Sequence, residues 1–159
     1  MKPQMATIDP FVVLGVASAI RRGSESPDLF ARIWKRFESH QDKIQTVATS
    51  KVYYGVTFPT ADVNVTDYLA GMEVATATPS PEGLEARPIP GGAYAVLECS
   101  VDAIGRTYQD VFSTWLPSAT VQYDDGRPSY EQYPENVAEE PVRLHIPVRE
   151  RPHEDRRAG

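Results

Sequence analysis

The residues in this chain that could do chemistry are few, and most of them are aromatic. The clearest group is Tyr130-Glu131-Gln132-Tyr133. In an extended segment alternate side chains leave on opposite faces, so Glu131 shares a face with Tyr133, while Tyr130 and Gln132 share the other. A carboxylate among aromatic rings is costly to ionise, which raises its pKa. Such a group can hold a cation, or it can give and take a proton. A glutamate on an exposed strand edge does neither, and the run by itself leaves both readings open. Tyr53, Tyr68 and Tyr94 add ring faces that attract cations at about 0.5–2 kcal/mol each, and hydroxyls that form hydrogen bonds. Trp34, Phe37 and Trp115 recur at helical spacing. Their default place is the core, with Trp34 and Trp115 as second-choice walls of a cleft.

Other chemistry is scarce. His40, His145 and His153 lie far apart and lack metal-ligand spacing. Pro90-Gly91-Gly92 is a turn without the lysine of a phosphate loop, and no serine sits in a nucleophile elbow. Asp124-Asp125-Gly126 reads as a loop tip. The single cysteine, Cys99, ends an apolar run and reads as a structural thiol in a reducing compartment. No metal and no cofactor is expected.

The elements that must position these residues follow from punctuation and periodicity. Phe11 to Ile20 is apolar, rich in β-branched residues and too short to cross a membrane, so it reads as a strand. Ser26-Pro27-Asp28 is a helix start, with a capping hydroxyl, a proline in the first turn and an acid at the positive end. Phe30, Ile33, Trp34 and Phe37 then line one helical face, and the helix should fade near His40. Lys51–Phe58 and Asp67–Ala77 read as strands. After Pro79, Pro81 and Gly83 the pattern restarts, with an extended 84–89 and a strand over Ala93–Cys99. An amphipathic helix follows over Val101–Leu116, capped by Ser100 and ended by Pro117. Ser129–Tyr133 and Val142–Arg149 are the last strands. The segment from Arg151 has no hydrophobic pattern and should be a disordered tail, 151–159.

The restart is quantitative. Phe30, Ile33, Trp34 and Phe37 fall on Tyr108, Val111, Phe112 and Trp115 at one offset of 78 residues. The same offset sets Tyr53 on Glu131 and Gly55 on Tyr133. This predicts an α+β fold of two β-α-β-β repeats, about 11–77 and 84–149, each with a small antiparallel sheet and one helix. The seam between them is the natural place for a ligand. Chance alignment of two amphipathic helices is the alternative.

Composition sets the outer bounds. At 159 residues, 41% hydrophobic and 24% charged, the chain suits one domain over 1–150. A net charge of −6 argues against direct nucleic-acid binding, which needs a basic surface. Asp9-Pro10 interrupts any leader-like run after Lys2, and no apolar stretch is long enough for a membrane helix, so the expected location is cytoplasmic.

Several segments together give the chain its resemblance to the GyrI-like family of effector-binding domains. They are Tyr54-Gly55-Val56, Tyr68-Leu69-Ala70-Gly71-Met72-Glu73-Val74, Ile89-Pro90-Gly91-Gly92-Ala93-Tyr94, Trp115-Leu116-Pro117, Tyr130-Glu131-Gln132-Tyr133, and the closing Leu144-His145-Ile146-Pro147-Val148. The match spans about residues 10–149. The resemblance implies that Glu131 lies at the floor of a cleft among aromatic residues; Tyr53, its counterpart in the repeat, should face the same seam, and Tyr68, Tyr94 and Tyr133 are further candidates. It implies a small hydrophobic organic ligand, planar or cationic. It also implies an alternative, a hydrolase that opens the cyclopropane ring of DNA-alkylating compounds. There Glu131 would be the general acid/base and Tyr53 or Tyr68 its helper. A third alternative is a protein-binding module that inhibits gyrase; a protein partner or a homodimer is compatible with it.

Overall fold

The computed structural model describes residues 2–24 and 26–152. The first helix starts as its sequence demands. The Leu29 amide donates to the Ser26 hydroxyl at 3.2 Å, and α1 (Pro27–Gln45) runs from there. It does not fade at His40. The polar stretch after Phe37 ends in Ile44, which is fully buried one heptad further along the same stripe as Phe37. That contact holds the last two turns on the sheet.

The strands are β1 (Gln4–Ile8), β2 (Phe11–Arg21), β3 (Ala48–Pro59), β4 (Val65–Val74), β5 (Glu85–Ile89), β6 (Gly92–Cys99), β7 (Val121–Tyr123), β8 (Ser129–Tyr133) and β9 (Val142–Glu150). All the pairings between them are antiparallel. The α+β class stands, but the two small sheets are one. β3 pairs directly with β8, and the order β1-β6-β9-β8-β3-β4-β2-β5 is continuous, with β7 added beside β9. Left apart, the halves would expose unpaired backbone groups along β3 and β8. Joined, they place Tyr53 opposite Tyr133, Tyr54 opposite Gln132 and Gly55 opposite Glu131. Tyr54 and Gln132 are themselves 78 residues apart, and the Gln132 amide donates to the Tyr54 hydroxyl at 2.9 Å.

The second helical segment departs from the expected single helix. It is a 3-10 turn (Val101–Ala103), then α2 (Ile104–Asp110), a π-helical turn (Val111–Trp115) and a last turn (Leu116–Ser118). Ser100 makes no side-chain cap bond. The helix α2 buries none of its own residues; the buried anchors are Ala103, Val111 and Leu116. Val111 and Leu116 are five residues apart, a spacing that a π turn brings onto one face and an α-helix does not.

Both faces of the sheet are covered. On one, α1 packs over Leu14, Tyr68, Ala70 and Met72, and Val111 and Leu116 pack over Ala95, Leu97 and Ile146. On the other, Val13, Tyr54, Val56, Leu69, Tyr94 and Tyr130 form a separate core with Phe11 packed against it. Two short strands escaped the sequence reading. β1 is largely exposed at the sheet's end, and β7 has three residues. Arg151, expected to begin the tail, is docked. Its guanidinium donates to the Leu116 carbonyl at 2.6 Å and the Ala119 carbonyl at 2.9 Å. The rest of the expected tail from His153 lies outside the described residues.

Candidate functional site

The junction strands β3 and β8 form the floor of a cleft of about 1120 Å³, walled by α1 and by the segment that begins at Val101. Glu131 stands on this floor because the alternation of β8 sends Glu131 and Tyr133 to the cleft and Tyr130 to the opposite core. Its cross-strand neighbour is Gly55, which has no side chain to compete for the space. Tyr68, from β4, fills that space instead. A Cβ on residue 55 would overlap the Tyr68 hydroxyl.

A chain of polar contacts runs through the aromatic lining. The Trp34 indole donates to the Tyr68 hydroxyl at 3.1 Å. The Trp34 ring meets Tyr133 edge-on at 5.5 Å. Tyr133 donates to Glu131 Oε1 at 3.5 Å, and Tyr108 donates to Glu131 Oε2 at 2.9 Å. No Lys, Arg or His is among the described residues that line the cleft, whereas Glu38, Glu131 and Glu135 all do.

The electrostatics follow from this enclosure. Glu131 is only 8% exposed. Burial pushes its carboxyl up from the ordinary 4.5 to about 7, and the Tyr108 and Tyr133 hydrogen bonds pull it part of the way back. Burial raises the Tyr108 and Tyr68 phenols well above their usual value, and the nearby Glu131 charge raises them further. Both stay protonated and able to donate. The floor therefore offers one acid that changes charge near neutral pH, and phenols that do not.

The structure brings five of the expected residues together here: Trp34, Tyr53, Tyr68, Glu131 and Tyr133. Two are elsewhere. Tyr94 is fully buried on the other face of the sheet, because β6 sends Ala95 and Leu97 toward the helices and Tyr94 away from them. Its hydroxyl donates to the Pro90 carbonyl at 2.8 Å, and Arg127 lies over its ring. Trp115 is turned into the core beside Val111 and Leu116 at the π turn. Tyr53 lines the cleft, but its hydroxyl accepts from Gln41 at 3.0 Å and Gln45 at 3.4 Å. The phenols that touch Glu131 are those of Tyr108 and Tyr133. By helical spacing Tyr108 shares the apolar stripe of its segment with Ile104, Val111 and Trp115, a position that reads as core. The repeat carried the missing signal, since Tyr108 is the counterpart of Phe30 and both line the cleft.

Among the described residues no group of three or more His, Cys, Asp or Glu could hold a metal ion, and no helix is long and apolar enough to cross a membrane. His145 is buried in the opposite core, stacked on Tyr130 at 4.3 Å, and burial lowers it to about 4. It stays neutral at physiological pH.

Comparisons with known proteins agree with this fold. The fold is shared with SAV2435, solved bound to tetraphenylphosphonium, at TM-score 0.78 and 14% identity over 94% of each chain. It is shared with an integron cassette protein of Vibrio cholerae at TM-score 0.67 and 16% identity, covering 94% of this chain and 97% of that one. The EcmrR C-terminal domain matches at TM-score 0.60 and 14% identity, over 95% of this chain and all of that domain. The search of curated proteins gives no match. The sequence itself, over residues 4–148, fits the Cass2 family model, and the chain belongs to that family of integron-associated effector-binding proteins, with the GyrI-like fold.

Proposed function

We propose that this protein binds a hydrophobic organic cation in the aromatic cleft, with the ionised Glu131 carboxylate as counter-charge. The observation that carries the reading is Glu131 itself, a buried acid whose hydrogen-bond partners are two phenols and whose cleft has no basic side chain among the described residues that line it. A carboxylate so placed is under-compensated, and a desolvated cation between aromatic faces completes it. The tetraphenylphosphonium on the structural neighbour SAV2435 is a ligand of this class. The test is calorimetric titration with tetraphenylphosphonium at pH 6 and pH 8, on wild type and Glu131→Gln. Only the ionised acid attracts a cation, and with a midpoint of about 7 the ionised fraction rises roughly tenfold across that interval. Wild-type affinity should rise by about that factor and the variant should bind weakly at both pH values. Equal affinity in the two proteins would sink the proposal.

A second reading is favoured by the near-neutral midpoint of the same carboxyl, which suits general acid/base catalysis at pH 7. In a ring-opening hydrolase Glu131 would relay the proton, with Tyr108 or Tyr133 as the neighbouring donor in place of Tyr53. Mass spectrometry of a cyclopropane-bearing alkylator incubated with wild type and Glu131→Gln tests it; product formed equally by both would reject it.

A further inference from the structure

Seven large hydrophobic side chains are exposed among the described residues, and four of them, Val101, Phe112, Tyr123 and Val137, line this one cleft. They are 36–47% exposed, whereas Glu131 and Tyr68 below them are 8% and 2% exposed. The cleft thus has a closed aromatic floor around an acid and an open apolar rim. Its rim is partly ordered by its own contacts, since Phe112 meets Tyr123 edge-on at 5.1 Å. Exposed apolar groups scattered singly need no explanation, but groups gathered around one opening do. The volume of about 1120 Å³ also lies just above the usual range of ligand pockets, about 300 to 1,000 Å³. A compact cation seated on the floor leaves the rim uncovered.

We propose that the rim is a second binding subsite, formed by Val101, Phe112, Tyr123 and Val137, and that it takes an uncharged alkyl or aryl arm carried by the same ligand. This rests on the cation-binding reading of the floor and narrows it, because the preferred ligand becomes an elongated amphiphile with its positive head at Glu131 and its arm along the rim. None of these four side chains carries a charge, and the exposed carboxylates that also line the cleft are Glu38 and Glu135. Its contribution is removal of apolar area from water, worth about a factor of four per buried methylene before ordering costs. Phe112 and Val137 then set how strongly arm length is rewarded.

The experiment uses methyl-, butyl- and octyltriphenylphosphonium as probes, which share a head and differ only in the arm. Affinity is measured by calorimetry on wild type, Glu131→Gln, Phe112→Ser, Val137→Ser and Val63→Ser. Val63 is 80% exposed and does not line the cleft, so its variant controls for a generic loss of surface hydrophobicity. Wild type and Val63→Ser should gain at least about tenfold from methyl to octyl. Phe112→Ser and Val137→Ser should each flatten that gain by several-fold, while Glu131→Gln should weaken every probe and keep the gain. Equal gains in all five proteins would place the arm elsewhere and overturn the subsite. So would equal binding of the methyl and octyl probes to wild type, even with a clear Glu131 effect. A flat series together with self-association that Phe112→Ser abolishes, seen by ultracentrifugation, would assign the rim to a second copy of the chain. Absence of binding for all probes to wild type would instead remove the floor reading, and the subsite with it.

Discussion

Replacing Glu131 with Gln should make the protein more stable, and the gain should grow with pH. In the unfolded chain the carboxyl titrates at its ordinary 4.5; in the folded protein burial moves the midpoint to about 7. Below pH 4.5 the group is protonated in both states and contributes no pH dependence. Between 4.5 and 7 the unfolded chain releases its proton while the folded protein keeps it, which favours unfolding. Above 7 the cost is complete, and the interval corresponds to up to about 3 kcal/mol. Glutamine has a similar shape, stays neutral and can still accept the Tyr108 hydroxyl. Its advantage should thus be small at pH 4.5 and approach about 3 kcal/mol at pH 8.5, or about 6–12 °C in melting temperature for a chain of this size. The assay is urea denaturation of both proteins at pH 4.5, 6, 7 and 8.5. Other titrating groups cancel in the difference between the two curves. A difference that does not change with pH would mean that Glu131 ionises as freely in the fold as in the unfolded chain, and the dry-cleft reasoning would fail.

Three more outcomes are expected. Tyr108→Phe removes a hydrogen bond that lowers the Glu131 midpoint, so in that background the stability gap to the Gln variant should keep growing to higher pH and level off at a larger value than in wild type. Gly55→Ala drives a methyl into the Tyr68 hydroxyl and should cost about 1–3 kcal/mol; adding Tyr68→Phe should recover part of that loss, read by urea midpoints. Arg151→Ala removes two hydrogen bonds to the Leu116 and Ala119 carbonyls and should destabilise by about 0.5–1.5 kcal/mol for each, with faster amide exchange in the 116–123 segment.

The parts of this molecule that could be read from sequence are those where one local rule acts alone. The Ser26 cap and the Phe30 stripe fix the start of α1, and the alternation of β8 fixes which side chains share a face with Glu131. Tyr94 was misplaced because alternation gives two faces without saying which is the cleft, and only packing against Tyr130 and Arg127 decides it. Trp115 takes its default place against the core rather than the second-choice one on the cleft, beside a π turn that no residue type marks in advance. Helical spacing likewise assigned Tyr108 to the core, although burial by a sheet and burial by a cleft call for the same residue types. The fusion of the two halves into one sheet is a long-range pairing that no short window contains.

The short strand Ser129–Tyr133 has a consequence for how such a protein can change. Glu131 and Tyr133 face the cleft, while Tyr130, the residue before Glu131, is 2% exposed in the opposite core and stacked on His145. Sliding this strand by one position would exchange the two environments and put an acid where the structure has packed aromatic rings. Gly55 opposite is equally confined by Tyr68. The floor is therefore closed to gradual drift, and a lineage seeking new ligands must alter the walls, where Phe30 and Phe112 stand on helical segments and can be exchanged without moving a strand.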